Sequence, residues 1–577
     1  MVFHPPAWVP KLKDLPDSIT IEEFVNNEAY GRRPFASSRN PYTCGLTGRT
    51  FSAADVARRT GYLARAIASH LGFNPSEGTP WDRVIAVYSL NTIDYIPLTH
   101  AVHRLSGIVT PASAAYSSEE LEHQLRSSGA SAIFTCVPLL DAARKAAQAV
   151  QIPDQRIFLL PLADHRQNGL PYKTVDNLVR EGEGLPELQP LHWSEGQGSR
   201  QPAYLCYSSG TSGLPKAVMI SHLNVIANVI QTYLYEAPSR QHLAFETQTN
   251  LGLLPLSHIY GLTVIAHNAQ YRGDEVIILP RFELASFLAA IQKYRIEQLT
   301  VVPPILIQMM NNIATCRKHD LSSVRLVYSG AAPLGIEVVD DVLKEYPTWH
   351  ISQGYGMTES SPLIISTCET DRLLGSSGSL IPGVKAKVID HQGKEVAEYD
   401  TRGELLIQSP SVVLGYLNNE KANAETFVWH NDGRWLRTGD EVLVRKSSQG
   451  NEHFFIVDRI KELIKVKGHQ VAPAELEAHL LAHPSVSDCA VIPVPDPNAG
   501  EVPKAFVVKA KTAAGKPEDE VRADIVRHVE GAKAKHKWLR GGIEFIDEVP
   551  KSASGKILRR LLRDREKEAR RSAGAKL

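Results

Sequence analysis

Tyr207-Ser-Ser-Gly-Thr-Ser-Gly-Leu-Pro-Lys-Ala-Val218 follows the strand-like run Ala203-Tyr-Leu-Cys206. Glycine lets a backbone approach an anion closely. Here Gly210 stands among the hydroxyls of Ser208, Ser209, Thr211 and Ser212, with the charge of Lys216 beside them. The stretch reads as a strand that ends in a polyphosphate loop. Pro215 precedes the lysine and no Gly-Lys-Ser/Thr follows, so P-loop NTPase chemistry is disfavoured. A Ser/Gly-rich surface linker is the plainer reading of such a composition, and the density of donors around one lysine argues against it.

Upstream, Phe51 to Leu71 reads as an amphipathic helix and Arg83-Val-Ile-Ala-Val-Tyr88 as a buried strand. Further short β-branched strands at Ala132 to Thr135, Arg156 to Leu160, Leu299 to Val302 and Arg325 to Tyr328 alternate with helical segments. That alternation predicts an α/β fold whose parallel-type sheets are covered by helices. From about Lys385 the texture changes to short strands and turns, at Val384 to Ile389, Gly403 to Ile407 and Phe454 to Val457, which predicts a β-rich subdomain. After Asp458-Arg459 a fresh strand-helix-strand-helix unit runs to the basic helix Lys556 to Arg571.

The 577 residues exceed one ordinary core, and 43% hydrophobic with 22% charged residues describes a globular protein. Lys plus Arg and Asp plus Glu both total 63, which offers no field for nucleic acid or an acidic membrane. Six scattered cysteines form no CxxC pair, against a disulfide framework or a zinc site. The N-terminal stretch lacks a basic region and an apolar core, and no run is long enough for a transmembrane segment, so neither secretion nor membrane spanning is expected. Ala575-Lys576-Leu577 has the form of a peroxisomal address, with the import receptor as the implied partner and the cytoplasm as the alternative location.

Several further motifs stand in order between Pro202 and Leu558. They are Leu254-Pro-Leu-Ser-His-Ile-Tyr-Gly-Leu262, Ser329-Gly-Ala-Ala-Pro-Leu-Gly335, Gln353-Gly-Tyr-Gly-Met-Thr-Glu359, Trp435-Leu-Arg-Thr-Gly-Asp440, Lys461 to Glu477 and Pro550-Lys-Ser-Ala-Ser-Gly-Lys-Ile-Leu558. Physically, Gly354 and Gly356 permit a flat approach to a nucleotide, Tyr355 can stack on a base and Thr358 can bond a phosphate oxygen. Together with the phosphate loop the set resembles the adenylate-forming superfamily, above all the 4-coumarate–CoA ligase-like acyl-CoA synthetases. The wording of the motifs and the C-terminal tripeptide resemble fungal peroxisomal acyl-CoA ligases of specialised metabolism, including toxin biosynthesis.

The resemblance implies a large N-terminal AMP- and acyl-binding domain, 1–459, with its β-rich subdomain, and a small mobile α+β C-terminal domain, 460–577. It implies an enzyme that uses ATP, Mg2+ and CoA to convert a carboxylic acid to acyl-AMP and then to acyl-CoA. Gln353 and Tyr355 would hold adenine, Asp440 the ribose hydroxyls, and Arg459 would also contact the nucleotide. Glu359 would ligate magnesium, for which one carboxylate beside substrate phosphates suffices. Lys556 would serve adenylation, with Thr211 in the phosphate loop. Lys461 falls at the hinge, and Lys465, Lys467 and Gly468 would face the thioester-forming site.

Lys465 and Lys556 are 91 residues apart in one compact unit, so the resemblance implies that the small domain rotates about the junction Asp458 to Lys461 between steps. His258, Tyr260, Val264, Ala331, Ser361 and Pro362 would line the acyl pocket. Hydroxycinnamate ligases carry a small polar residue where this chain has Val264, which turns the reading away from 4-coumarate and leaves fatty, aryl and polyketide-like acids open. Arg281 aligns with a basic residue that some ligases use for CoA. The alternatives are an acyl-AMP ligase that loads a carrier protein and a non-catalytic nucleotide-binding scaffold. No Gly-x-Ser-x-Gly elbow supports a hydrolase, and Leu480 between His479 and His483 stands where a zinc protease needs Glu.

Overall fold

The computed structural model describes all residues except 164, 166–168, 209–214, 514, 553–554 and 575–577, with 572–574 described as backbone only. The first long helix is Ala53–Leu71. Ser52 caps it: its hydroxyl accepts from the Asp55 amide at 3.1 Å, while the Asp55 carboxylate accepts from the Ser52 amide at 3.0 Å. Such a cap stabilises a helix by about 1 kcal/mol. Gly72, at φ 70°, ends the helix, and the stripe Val56, Leu63 and Ile67 is buried.

Two large sheets form the body. A seven-stranded sheet runs in the order Gly415–Tyr416, Lys216–Ser221, Pro202–Ser208, Ile108–Ala112, Val84–Tyr88, Ala132–Thr135, Ile157–Leu159. A nine-stranded sheet runs Ser379–Leu380, Leu363–Ser366, His350–Gly356, Leu326–Ser329, Gln298–Val301, Thr249–Gly252, Glu275–Ile278, Tyr42–Cys44, Thr50–Phe51. Their centres are parallel, as the α/β alternation predicts, but the edges reverse. Pro202–Ser208 pairs antiparallel with Lys216–Ser221, and His350–Gly356 pairs antiparallel with Leu363–Ser366. The connections at these edges are too short for a parallel crossover, which needs a dozen or more residues. Each reversal therefore leaves a loop at the end of its sheet.

The β-rich region forms an antiparallel sheet of Lys385–Ile389, Gly403–Gln408, Gly433–Lys446, Phe427–His430 and Glu452–Arg459. Val2–Phe3 from the chain start joins it beside Lys385–Ile389, a long-range pairing that the local pattern did not signal. A separate five-stranded sheet contains Ile464–Val466, His469–Val471, Val486–Asp496, Gly500–Lys509 and Ile543–Phe545. Its core, between Ile464 and Leu562, is distinct from the core that spans Phe3 to Phe454. Asp458 and Arg459, expected at the start of a flexible junction, instead end a paired strand, opposite Glu441 and Asp440. His479 lies on the helix Pro473–Leu481, and His483 lies beyond its end. The basic helix is Arg559–Gly574, so Lys556 precedes it. No helix among the described residues is long and apolar enough to cross a membrane.

Candidate active site

The hairpin Pro202–Ser208/Lys216–Ser221 carries both ends of the predicted phosphate loop. Ser209, Gly210, Thr211 and Ser212 lie outside the described residues, but Ser208 and Lys216 face each other across the hairpin. The Ser208 hydroxyl donates to Glu359 Oε1 at 3.0 Å, and the Tyr416 hydroxyl donates to the same oxygen at 2.9 Å. Lys216 Nζ lies 4.7 Å from the centre of the Tyr416 ring. Burial, followed by the Glu359 charge, pushes the Tyr416 phenol far above its usual range, so it remains a donor. Tyr416 was missed by sequence reading. Its two-residue strand pairs with Val218 and Met219, and nothing local marks it.

Glu359 stands in the short turn Thr358–Ser360 after the strand His350–Gly356. Alternation along that strand sends Tyr355 to one face and Gly354 and Gly356 to the other. The Tyr355 hydroxyl donates to Asp440 Oδ2 at 2.6 Å, and Arg459 Nε lies 3.7 Å from Asp440 Oδ1. Burial raises the Asp440 carboxyl, while Arg459 and the Tyr355 bond act in the opposite direction. The Gln353 side chain accepts from the Leu334 amide at 3.2 Å, tying the turn 329–335 to this strand. A Cβ at Gly356 would fall 2.0 Å from the Pro362 carbonyl oxygen, so a bare backbone is required there.

Lys556 enters this group from the other core. Its turn is held by the Gly555 amide donating to the Ser552 carbonyl at 2.8 Å. Gly555, at φ 80°, packs on Val302 and Pro304 of the large body. Burial and the neighbouring Arg459 pull the Lys556 ammonium down to about 8, partly offset by Glu462, Asp440 and Glu359. His258 is lowered to about 4 by burial and by Lys556. Arg559, three residues on, binds Glu462 and Glu477 at 2.7 Å each, which anchors the turn to its own core. Burial again pushes the Glu477 carboxyl up, with Arg559 opposing. The site thus gathers two cations, Lys556 and Arg459, with the Asp440 and Glu359 carboxylates beside a phosphate hairpin. Glu359, a buried carboxylate already oriented by two hydroxyls, fits a Mg2+ ligand.

Residues 27–417 match the AMP-binding enzyme family, and 475–556 match the AMP-binding enzyme C-terminal domain. The chain belongs to the AMP-binding enzyme family. This AMP-binding enzyme is 42% identical over 572 residues to the acyl-CoA ligase AKT1 of Alternaria alternata, covering 98% of this chain and 97% of that one. It is 39% identical to the acyl-CoA ligase easD of Emericella nidulans, covering 98% and 100%. Among solved structures, the anthranilate CoA ligase AuaEII in complex with anthranoyl-AMP superposes with a TM-score of 0.81 at 24% identity, covering 97% of this chain and 99% of that one. That likeness is one of fold.

On the acyl side, Tyr260 and Val264 are buried in the π-helical turn Tyr260–His267. The Tyr260 ring would lie 3.1 Å from a Cβ at Gly330, and its hydroxyl donates to the Tyr328 carbonyl at 3.3 Å. The Tyr260 amide donates to His258 Nδ1 at 3.2 Å. Ala331 and Ser361 both hold left-handed backbones, at φ 68° each, and Pro362 is buried behind Ser361. Lys461, Lys465, Lys467, Gly468 and Arg281 are exposed. In this arrangement Lys556 reaches the nucleotide group, whereas Lys465 stands on the exposed hairpin with its amide bonded to Glu501 at 2.8 Å. Ala575, Lys576 and Leu577 lie outside the described residues.

Proposed function

We propose that this enzyme is an ATP-dependent acyl-CoA ligase: a carboxylic acid and ATP give acyl-AMP and pyrophosphate, and acyl-AMP and CoA then give acyl-CoA and AMP. The observation that carries the reading is the convergence of Lys556 on Asp440, Arg459 and Glu359 beside the phosphate hairpin. A carboxylate is a poor acyl donor because oxide is a poor leaving group, so its oxygen must first be exchanged for AMP. Carboxylate attack on the α-phosphorus crowds negative charge onto the phosphates. Lys556 and Lys216 meet that charge, and losing one well-placed group of this kind costs about 3 kcal/mol of transition-state stabilisation.

The ribose hydroxyls would take over Asp440, displacing the Tyr355 hydroxyl, and leave the Tyr355 ring free to stack on adenine. Magnesium, held by Glu359, would supply additional charge neutralisation at the phosphates. The similarity to the fungal acyl-CoA ligases AKT1 and easD supports CoA as acceptor. The division at Arg459, the hinge at Lys461 and the thioester role of Lys465 belong to the same proposal, as do fungal specialised metabolism and a peroxisomal location through Ala575-Lys576-Leu577. A fluorescent fusion ending in that tripeptide, with and without it, tests the location.

The activity is tested by pyrophosphate release from a panel of fatty, aryl and hydroxy acids with Mg-ATP, with and without CoA, and by the mass of the products. CoA-dependent acyl-CoA formation is expected. Acyl-AMP that accumulates despite CoA would instead indicate a carrier-protein loader, and no pyrophosphate with any acid would indicate a non-catalytic scaffold.

A further inference from the structure

The segment 413–417 straps the phosphate hairpin to the turn that carries Glu359. Its Leu414 and Leu417 amides donate to the Met219 and Ala217 carbonyls at 3.0 and 2.9 Å, and its Val413 amide donates to the Glu359 carbonyl at 3.1 Å. The Arg434 guanidinium donates to the Val413 and Leu414 carbonyls at 2.8 and 3.0 Å. Asn423 closes on Tyr416: its Oδ1 accepts from the Tyr416 amide at 2.6 Å, and its Nδ2 donates to the Tyr416 carbonyl at 2.9 Å. Gly415, at φ 147°, leaves room for that clamp, because a Cβ there would fall 2.8 Å from Asn423 Oδ1. The Tyr416 backbone is thus bonded on both sides.

The side chain so fixed meets an anion with its hydroxyl and a cation with its ring. The Tyr416 and Ser208 hydroxyls both donate to Glu359 Oε1, and no described residue donates to Oε2. A carboxylate oriented through one oxygen presents the other to a metal ion. Ser208 ends its strand where the phosphate loop begins, whereas Tyr416 is clamped, so the tyrosine is the firmer of the two supports. Lys216 Nζ lies over the same ring, 4.7 Å from its centre, and among the described residues it forms no ion pair with Glu359. An ammonium and a carboxylate on adjoining elements attract each other, and a direct pair would take Glu359 from a metal ion and Lys216 from a phosphate.

Resting on the reading of Glu359 as the magnesium ligand, we propose that Tyr416 is a positioning residue that keeps the metal carboxylate and the phosphate-loop lysine apart. Its hydroxyl holds Glu359 through Oε1 and leaves Oε2 for the cation. Its ring holds Lys216 by a cation–π contact, which fixes the ammonium without neutralising it. One side chain thereby keeps two opposite charges available to the same nucleotide.

The test reads binding and not turnover. The affinity for a non-hydrolysable ATP analogue is measured by calorimetry in Mg2+ and in EDTA, without acid or CoA, and the ratio of the two isolates the contribution of the metal. Tyr416→Phe keeps the ring and should cut that ratio by about five-fold or more. Tyr416→Leu also frees Lys216 to pair with Glu359 and should cut it further, and adding Lys216→Met to Tyr416→Leu should restore that further loss. Glu359→Gln should bring the ratio close to one, and Tyr416→Phe should then add nothing. A ratio that Tyr416→Phe leaves unchanged, even with a lowered thermal midpoint, would overturn the proposal and leave the tyrosine a purely structural role, as would an equal loss with and without Glu359. A ratio of one in the unmodified enzyme would instead remove the magnesium reading of Glu359, and the proposal with it.

Discussion

Lys556 is the residue on which adenylation turns, and its titration makes a prediction of its own. The ammonium is lowered to about 8 by burial and by Arg459, and only the protonated form offsets phosphate charge. kcat/KM for ATP reports the free enzyme, so it should fall as pH rises through about 8. In Lys556→Arg that limb should disappear, because a guanidinium stays charged far above this range. A limb that survives the substitution would assign the titration to another group. Lys556, Asp440, Arg459 and Glu359 were picked out in the sequence only through the resemblance of their motifs, taken together, to the adenylate-forming superfamily. Tyr416 was not, because its partner Glu359 is 57 residues away.

Among elements, the turn that presents Lys556 depends on Gly555. A side chain there would meet Val302 at 2.9 Å on a left-handed backbone, so Gly555→Val should lower pyrophosphate release by about ten-fold or more, with little change in thermal midpoint. Equal loss of stability and activity would show that the turn serves folding instead. Three helical segments also bury a histidine cluster. The His100 and His267 rings lie 5.5 Å apart, the His103 and His222 rings 4.8 Å apart, and the Tyr204 hydroxyl is 3.0 Å from His267 Nε2.

Burial lowers His103 and His267 from the ordinary 6.5 to about 3, so both stay neutral in the folded protein and take up protons only on unfolding. The stability they confer is complete above 6.5 and shrinks as pH falls, by about 2 kcal/mol per ring at about pH 5. The thermal midpoint should accordingly drop between about pH 7 and about pH 5.5, above the range in which carboxylates titrate. A flat profile would contradict neutral burial. The first long helix and the central strands were readable from periodicity within a residue or two, whereas the terminal basic helix, read from Lys556, begins at Arg559. The Val2–Phe3 strand was not readable, because the pairing of Val2 with Lys387 leaves no local trace, and the antiparallel edges were not, because a short connection and not the strand pattern sets their direction.

At the scale of the molecule, two cores meet at the site, and only one of the two candidate lysines of the smaller core faces it. Lys556 lies with Asp440 and Arg459, while Lys465 is exposed on a separate hairpin. One arrangement cannot present both, so the account requires the smaller unit to turn between half-reactions. The most direct measurement is to assay the half-reactions separately in Lys556→Ala and Lys465→Ala: pyrophosphate release in a single turnover, and acyl-CoA formation from supplied acyl-AMP. The account predicts that Lys556→Ala loses about a hundred-fold or more in the first and keeps the second, and that Lys465→Ala does the reverse. If Lys556→Ala impaired acyl-CoA formation from acyl-AMP as severely as it impaired pyrophosphate release, the division of labour, and with it the turning of the smaller unit, would be wrong.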